Sequence, residues 1–559
     1  MSLLTNYCPR VDFASYEDFY ANFRIDIPND FNFAYDVVDK YAAIEPTRRA
    51  LVWCNDFGKE KIYDFAEMSQ ASCQTANFFQ SLGIKKGDFV ILLSKGHHQF
   101  WPCVLALHRL GAIAIPGTHM LKKKDLLYRF SVTEAKMVVC ADETSLLDEV
   151  DAAVADFPDI VRVVLGNPRD GWLDYDNETA KFPKDFPRPQ GSAATHNDDP
   201  MLGYFSSGTS GEPKMVMHSY TYPLAHIITA KYWLNVIDGG LHYTVADTGW
   251  AKCAWGKLYG QWLAGSAVFV HDYESFNAKT LLERAVQYKV TTFCAPPTVY
   301  RFLIREDLSH FDLSSIKYAV TAGEALNPEV YNRFQEITGL KIREGYGQTE
   351  LIITTATLPW SEPKVGSIGK PIPGMNVELL SLETGKPVEA GEEGEICLYT
   401  DGEKLPYGIF RGYYRAEEMT RKCWHDGWYH TGDMAWRDED GFLWFVGRAD
   451  DVIKTSGYRV GPSEVENALM EHPSVLECAV TGVPDEIRGM VIKATIVLNR
   501  GFTPSDELKK ELQEHVKRTT APYKYPRVVE FVAALPKTIS GKIRRAEIRR
   551  QQQEQRQQG

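Results

Sequence analysis

The sequence predicts an α/β fold with a large N-terminal domain of two α/β layers and a small β subdomain, followed by a small α+β domain. Between residues 88 and 152, apolar runs typical of buried strands alternate with helical segments. This alternation favours a mostly parallel, doubly wound sheet. The same alternation returns after His196 and indicates a second layer. Short strands at close spacing between residues 366 and 433 predict the β subdomain.

The character of the sequence changes near Gly447. The segments LECAV, VIKATIVL and VVEFV have the composition of strands, and helical segments lie between them. We therefore expect an N-terminal domain over residues 1–447 and a C-terminal domain over residues 448–550. Residues 551–559 contain six glutamines and no apolar anchor, which predicts a disordered tail.

Composition excludes several classes of protein. The 559 residues are 44% hydrophobic and 24% charged, so the chain can bury a large core and is not mainly disordered. The formal net charge of −12 disfavours a general nucleic-acid binder, because it repels phosphates. The ten cysteines never come closer in sequence than Cys54 and Cys73, so no CxxC pair exists for zinc or dithiol chemistry.

The sequence also gives expectations about location. The first residues lack a basic start followed by an apolar core, which argues against secretion. No apolar run approaches the roughly 18 to 20 residues that an integral membrane segment needs. We expect a cytoplasmic protein with reduced thiols, small-molecule partners and no nucleic acid; a homo-oligomer is compatible with the composition.

A loop rich in glycine and hydroxyl residues, YFSSGTSGEPKMV, spans residues 204–216 directly after a predicted strand. Its backbone N–H groups, hydroxyls and one cation suit a polyphosphate. The residues concerned are Ser206, Ser207, Gly208, Thr209, Ser210, Gly211 and Lys214. The spacing of a Walker A loop is absent, which disfavours a P-loop NTPase. The alternative is a solvated surface loop.

A second motif, EGYGQTE, spans residues 344–350. Tyr346 can stack on a purine, and Thr349 can donate a hydrogen bond to a phosphoryl oxygen. Glu350 can hold Mg²⁺ on the phosphates, because that ion prefers hard oxygen ligands. The alternative is a β-turn with a solvated acid.

Three further motifs follow. The third is YHTGDMA at residues 429–435, in which Asp433 can accept hydrogen bonds from ribose hydroxyls. The fourth spans residues 447–466 and includes Arg448. The alternative for Asp433 and Arg448 is an ion pair. The last motif, PKTISGKIRR, places Lys542 after a glycine near the C-terminus. Its alternative is a basic tail on an acidic protein.

In this order and at these separations, the five motifs closely resemble the adenylate-forming superfamily, which includes acyl-CoA synthetases, aryl-CoA ligases, luciferases and peptide-synthetase adenylation domains. DTGW at residues 247–250 and APYKYPR at residues 521–527 look like the medium-chain acyl-CoA synthetases. The resemblance implies two half-reactions that consume ATP, coenzyme A and a medium-chain or branched short-chain carboxylic acid, with Mg²⁺ as cofactor. It also implies a mobile C-terminal domain joined by a hinge at Asp450.

The resemblance implies roles for individual residues. Lys542 is expected to bridge the acyl carboxylate and the α-phosphate, with Thr349 beside it and Glu350 on the metal. After adenylation the C-terminal domain is expected to bring Gly457 to the pantetheine tunnel. The implied ATP and AMP contacts are Ser206 to Gly211, Lys214, Gly323, Glu324, Ala325, Glu344, Tyr346, Gly347, Gln348, Thr349, Asp433, Arg448 and Lys542.

The resemblance assigns the remaining contacts with alternatives. The implied CoA contacts are Ser456, Gly457, Tyr458, Arg488 and Lys517, with Arg459 facing CoA or the acyl substrate; surface solvation is the alternative for the charged ones. Trp233, Lys252, Trp255 and Cys294 lie in segments that line the acyl pocket in relatives, with core packing as the alternative for the indoles. Acetyl-specific relatives carry Trp where this chain has Gly347, so we expect room for a longer chain here.

Two rival functions stay open at this point. One is an adenylation enzyme that loads a carrier protein, although only 17 residues follow Lys542. The other is a non-catalytic nucleotide-binding relative. Pyrophosphate release with and without CoA distinguishes all three functions.

Overall fold

The computed structural model describes residues 2–206, 213–324, 326–402, 405–455, 458–485, 488–537 and 543–558. Ser207 to Gly211, Ala325, Ser456, Gly457 and Lys542, all predicted functional residues, lie outside these ranges. For Tyr458 and Arg459 the described part is the backbone of one strand.

The described residues form 26 strands, which we number in chain order. They are β1 Arg49–Asn55, β2 Glu60–Asp64, β3 Phe89–Leu93, β4 Ile113–Pro116, β5 Met137–Ala141, β6 Val161–Leu165, β7 Leu173–Asp174, β8 Pro200–Ser206, β9 Lys214–Ser219, β10 Leu241–Thr244, β11 Ala267–Asp272, β12 Thr292–Cys294, β13 Tyr318–Ala322, β14 Ile342–Gly347, β15 Ile353–Ala356, β16 Lys370–Pro371, β17 Val377–Leu380, β18 Glu393–Tyr399, β19 Trp424–His425, β20 Trp428–Arg437, β21 Leu443–Arg448, β22 Ile453–Thr455, β23 Tyr458–Val460, β24 Val475–Asp485, β25 Gly489–Leu498 and β26 Val528–Phe531.

The same residues form 17 α-helices. They are α1 Tyr16–Asn22, α2 Lys40–Ile44, α3 Phe65–Ser81, α4 Phe100–Leu110, α5 Lys123–Thr133, α6 Thr144–Val154, α7 Tyr175–Thr179, α8 Tyr222–Ile227, α9 Ala251–Lys257, α10 Gly260–Leu263, α11 Ala278–Gln287, α12 Pro297–Leu303, α13 Pro328–Thr338, α14 Glu417–Cys423, α15 Pro462–Met470, α16 Asp506–Thr519 and α17 Arg545–Gln558. Two π-helical segments, Ala34–Asp39 and Ile228–Trp233, adjoin α2 and α8.

Two large sheets form the N-terminal domain. One has nine strands in the order β16-β15-β14-β13-β12-β10-β11-β1-β2, and the other has seven in the order β7-β6-β5-β3-β4-β8-β9. Their central pairs are parallel, whereas β2, β9, β15 and β16 pair antiparallel at the edges. The prediction of two α/β layers is therefore confirmed.

Helix α4 shows how the two layers share a core. All eleven of its residues are buried, and eight of them pack in one apolar cluster with strand residues of both sheets. The helix ends at Gly111, whose φ of +76° is the left-handed conformation that terminates many helices. Its one cation, Arg109, is buried against Asp39 at 2.8 Å and donates to Ser72, so the buried charge is paired.

Two smaller units complete the chain. The predicted β subdomain is a five-stranded sheet in which β17, β18, β20 and β19 follow one another and β21 pairs with β20. In the C-terminal part, β24, β25 and β26 form a sheet on which α15 and α16 share an apolar core.

The C-terminal tail differs from its prediction. Where we expected disorder over residues 551–559, α17 continues to Gln558. Glutamine, glutamate and arginine have high helix propensity, and Ile548 anchors the helix in a small apolar cluster with Leu535. Among the described residues, no helix is both long and apolar enough to cross a membrane.

Candidate active site

Three of the predicted motifs meet at the carboxylate of Asp433. The hydroxyl of Tyr346 and the amide of Gln348 each donate to its Oδ2 at 2.6 Å. Arg448 lies 3.3 Å from its Oδ1 and is the cross-strand neighbour of Asp433 in the β20–β21 pair. Tyr429 donates to Gln348 at 2.9 Å, so the amide is held from both ends. We call these five residues the Asp433 cluster.

A bulge in β20 aims Asp433 at this position. In the β18–β20 pair Glu395 faces Met434 and Cys397 faces His430, so the second strand carries two extra residues between these pairs. Gly432 takes up the bulge with φ of +72°, and a Cβ there would lie 2.6 Å from Arg448. Bulges often re-aim side chains beside functional sites. The backbone conformation therefore favours glycine here, and a side chain would displace the guanidinium of Arg448.

Glu350 lies beside the predicted phosphate loop. Its Oε1 accepts a hydrogen bond from Tyr413 at 2.8 Å, and Lys214 sits 4.9 Å from the centre of the same tyrosine ring. The surrounding protein removes water from the carboxylate and raises its pKa, while Tyr413 and the charge of Lys214 oppose that rise. Ser206 pairs with Lys214 at the base of the loop. The structure thus brings the first and second motifs together.

The backbone of Thr349 is held by a histidine that the sequence did not single out. His218 in β9 lies 2.8 Å from the carbonyl oxygen of Thr349 through its Nε2. Burial lowers the pKa of His218 to about 4, so the ring is neutral at physiological pH and its Nε2–H donates. The ring stacks on Tyr222 at 3.8 Å. An isolated histidine in an apolar strand carries no motif, which is why sequence reasoning missed it.

Glu344 contacts the backbone of the fold, whereas the segment at Gly323 is open. Glu344 is buried and accepts from the backbone N–H groups of Leu326 and Gly366 at 3.1 and 2.9 Å, and burial raises its pKa to about 8. Its carboxylate therefore holds two loops together. Gly323 has φ of +105° and open space around its Cα, whereas Glu324 accepts from Thr298 at the surface.

Other groups occupy the space for a side chain at Gly347, and the expected room for a longer acyl chain stays a prediction. A Cβ at Gly347 would lie 2.5 Å from the ring of Trp255 and 2.2 Å from the carbonyl oxygen of Ile352. A Cβ at Gly345, two residues earlier on the same face of β14, would lie 2.8 Å from Trp233. The two glycines make space for two indoles that come from other elements. The indoles therefore fill the volume that side chains at these two positions would take.

The two indoles nevertheless carry unused polar groups. Trp233 and Trp255 are buried, and within the described part of the chain neither indole N–H has a hydrogen-bond partner. Trp233 ends the π-helical segment Ile228–Trp233, and such segments are frequent at functional sites. Buried indole N–H groups usually find a partner. The rings pack in the core, and their role in lining the acyl pocket stays a prediction.

Lys252 and Cys294 lie together where β12 and β13 end. Lys252 donates to the carbonyl oxygen of Ala322 at 2.9 Å. Cys294 is buried, which raises the pKa of its thiol, while the charge of Lys252 opposes the rise. The lysine is thus not an unpaired charge in an apolar pocket, and it borders the segment that includes Gly323.

The predicted CoA and hinge residues are engaged in local contacts. Asp450 lies 3.6 Å from Arg448 and so borders the Asp433 cluster. Arg488 is 3.8 Å from Asp485, and Lys517 lies 2.5 Å from Glu514 and 4.4 Å from the centre of the Tyr525 ring. The structure does not bring these two cations to the cluster. Two tyrosines of the site were also not singled out from the sequence. Tyr413 contacts Glu350, and Tyr429, the first residue of the third motif, contacts Gln348.

Curated proteins of similar sequence match nearly the whole chain. The acyl-coenzyme A synthetase ACSM3, mitochondrial, of Mus musculus is 40% identical over 552 residues, which cover 97% of this chain and 94% of that protein. ACSM4 of Rattus norvegicus is 40% identical, with 96% and 93% covered, and ACSM5 of Homo sapiens is 39% identical, with 94% and 91% covered. All three are named as mitochondrial proteins. This contradicts the cytoplasmic location predicted from the sequence, so that prediction is wrong.

Solved structures agree in fold. The anthranilate CoA ligase AuaEII in complex with anthranoyl-AMP superposes with a TM-score of 0.83 at 30% identity, covering 94% of this chain and 98% of that one. An acyl-CoA synthetase of Brucella canis gives 0.73 at 30% identity, covering 97% and 100%. The architecture described above is therefore that of known CoA ligases.

The sequence patterns of one enzyme family cover most of the chain. The pattern of the AMP-binding enzymes matches residues 38–414, and that of their C-terminal domain matches residues 464–542. Both matches agree with the resemblance carried by the five motifs. The chain belongs to the family of AMP-binding enzymes.

Proposed function

We propose that this protein is an ATP-dependent, AMP-forming acyl-CoA synthetase. In the first half-reaction a carboxylate oxygen attacks the α-phosphorus of ATP, giving acyl-AMP and pyrophosphate. In the second, the thiol of CoA attacks the acyl carbon and expels AMP. The observation that carries the proposal is the Asp433 cluster, which joins three separate motifs around one carboxylate beside Glu350 and Lys214.

In this proposal Asp433 binds the ribose. Tyr346 and Gln348 hold one carboxylate oxygen in place, and Arg448 partly balances its charge. The carboxylate can therefore accept from ribose hydroxyls without reorganising. Adenine lies between Tyr346 and the segment at residues 323–325, and the β- and γ-phosphates lie along the loop at residues 206–214.

Glu350 is the proposed ligand of Mg²⁺. Its carboxylate is the hard oxygen donor that this ion prefers, it is partly exposed, and the phosphate loop begins beside it. When bound, the ion neutralises charge on the phosphates of ATP. Tyr413 orients the carboxylate through its hydrogen bond.

The two half-reactions use different parts of the C-terminal domain in this proposal. Lys542 supplies a positive charge to the carboxylate and α-phosphate during adenylation. Rotation about Asp450 then replaces Lys542 with the backbone at Gly457 and admits the pantetheine of CoA. Support comes from the position of Asp450, 3.6 Å from Arg448 at the edge of the nucleotide site.

We propose medium-chain or branched short-chain acids as substrates. Support comes from the sequence similarity to the ACSM synthetases, and the two indoles next to β14 are the proposed wall of the acyl pocket. Aromatic acids form a second class for testing, because one structural neighbour is named an anthranilate CoA ligase. A mitochondrial location is proposed from the names of the relatives.

Pyrophosphate release measured across a panel of carboxylic acids tests the function. With ATP and Mg²⁺ we expect a stoichiometric burst of pyrophosphate without CoA and sustained turnover with CoA. Turnover with a carrier protein but not with CoA would favour the carrier-loading alternative. No pyrophosphate with any acid would favour a non-catalytic nucleotide-binding protein.

A further inference from the structure

A cysteine, a histidine and a glutamate converge on one point in the β subdomain. Nδ1 of His430 lies 2.8 Å from Oε2 of Glu395 and 3.4 Å from the sulfur of Cys397. The three ligand atoms lie within 4.8 Å of one another, and among the described residues this is the only such group of three. None of these side chains belongs to the Asp433 cluster.

The fold presents these side chains together for a backbone reason. Cys397 and His430 face each other in the β18–β20 pair, and Glu395 precedes Cys397 by two residues, so it lies on the same face of β18. The bulge that follows His430 shifts the register. The sheet thus fixes all three positions before any ligand arrives.

The ligand atoms suit a borderline divalent ion. Zinc in proteins takes cysteine sulfur, histidine nitrogen and carboxylate oxygen at about 2.0 to 2.3 Å, in tetrahedral geometry. Ligand atoms around such an ion lie about 3 to 4 Å apart, close to the separations seen here. The thiol of Cys397 is fully buried, whereas 19% of the His430 side chain is exposed, so solvent can supply a fourth ligand from the histidine side.

We propose that Glu395, Cys397 and His430 form a Zn²⁺ site. Zn²⁺ binds Nδ1 of His430 with the single proton of the neutral imidazole on Nε2, and an oxygen of Glu395 binds the ion in place of its hydrogen bond with that ring. The thiol of Cys397 loses its proton to solvent and binds as thiolate. The sequence offers no CxxC pair for zinc, but here the ligands come from two paired strands.

The site has a direct connection to the nucleotide cluster. The second oxygen of Glu395 accepts from the backbone N–H of Gly432 at 2.8 Å, one residue before Asp433. A bound ion would fix Glu395 and with it the bulge that aims Asp433. The proposed role is therefore structural stabilisation of that bulge. The inference does not depend on the proposed reaction, since it concerns different side chains.

Metal binding to the full-length protein tests the site. The protein is stripped with a chelator, exchanged into chelator-free buffer and titrated with Zn²⁺, and with Co²⁺ as a spectroscopic probe. We expect one equivalent of Zn²⁺ per chain, a higher melting temperature with Zn²⁺, and a sulfur-to-cobalt charge-transfer band. Cys397→Ser should abolish the band and weaken Zn²⁺ binding at least about a hundredfold, more than the loss of an outer-shell partner usually costs.

Matched variants keep the test decisive. Cys140→Ser changes another fully buried strand cysteine, away from the three ligands, and should bind metal like the wild type. His430→Asn removes one ligand at a partly exposed position and tests the site even if Cys397→Ser fails to fold. Equal Zn²⁺ affinity in the wild type and His430→Asn, or a cobalt spectrum without the thiolate band, would overturn the proposal.

Discussion

The proposed nucleotide side and the proposed acyl side of the candidate site are built differently. On the nucleotide side, Asp433, Tyr346 and Gln348 come from short motifs and meet through hydrogen bonds of 2.6 Å. On the acyl side, Trp233 and Trp255 come from other elements and meet two glycines of β14 through packing alone. Polar chemistry restricts residue type and spacing, whereas apolar volume can be filled from any neighbouring element. The polar residues of a site can therefore be recognised in a sequence, whereas the residues that fill an apolar volume are recognised only from the fold.

The largest effect is expected on the nucleotide side from Lys542→Ala. Adenylation should fall about a hundredfold to a thousandfold, because the charge stabilises the transition state of that step. Thioester formation from supplied acyl-AMP should fall much less. Lys537→Ala is the control, since Lys537 is a nearby exposed lysine paired with Glu477. Equal loss in both half-reactions would contradict the proposed domain rotation.

Asp433→Asn should lower kcat/KM for ATP about a hundredfold. Both carboxylate oxygens of Asp433 face hydrogen-bond donors, which are Tyr346 and Gln348 on one side and Arg448 on the other. Asparagine has only one oxygen, so its NH₂ group would point at one of these donors and lose the hydrogen bond there. Pyrophosphate exchange at varied ATP measures the change, with the melting temperature as a check on folding. A change under about threefold would mean that this carboxylate does not bind ribose.

On the acyl side, Trp255→Ala should shift preference towards longer acids. Removing the indole opens space for about three methylenes, each worth ~0.8 kcal/mol, or about two decades in relative kcat/KM. The cavity should also cost about 3–5 kcal/mol of stability. Trp172→Ala, in the core on the outer face of the seven-stranded sheet, is the matched control. It should lose stability with no change in the chain-length profile, and an unchanged profile in both variants would place the pocket elsewhere.

Gly347→Ala tests how tightly β14 packs on that side. The new Cβ would meet the carbonyl oxygen of Ile352 at 2.2 Å as well as Trp255, so the free energy of unfolding should fall by at least about 2 kcal/mol. Gly203→Ala, in β8, meets only flexible methionine side chains at 3.3 Å or more and should change stability less. Denaturant unfolding compares the two. Equal stability would mean that the space at Gly347 is open.

The smallest effect concerns His218 and pH. Its pKa is about 4 in the folded protein and about 6.5 in an unfolded chain, so the unfolded state binds more protons between these values. Stability from this group is complete above pH 6.5 and is lost as the pH falls towards 4, by up to about 1.4 kcal/mol per pH unit. His218→Gln should remove that slope. His310→Gln, which changes an exposed histidine, should show the same dependence of stability on pH as the wild type.

Features set by local sequence were predicted, whereas contacts between distant segments were not. The alternating strands and helices predicted both layers from local spacing, whereas the motifs and the family resemblance named four residues of the Asp433 cluster without predicting that they meet. The sequence placed Glu344 on the nucleotide, but its carboxylate holds Leu326 and Gly366, contacts that only the fold reveals. The helix at residues 545–558 depends on burial of Ile548, which composition does not show.

Transfer of an oxygen isotope tests the proposed reaction most directly. A medium-chain acid labelled with ¹⁸O in both carboxylate oxygens is incubated with ATP, Mg²⁺ and CoA, and the products are analysed by mass spectrometry. Attack on the α-phosphorus followed by thiol attack on the acyl carbon predicts one ¹⁸O atom in AMP, none in pyrophosphate, and an acyl-CoA that keeps the other. AMP without the label, or label in pyrophosphate, would contradict a reaction through acyl-AMP.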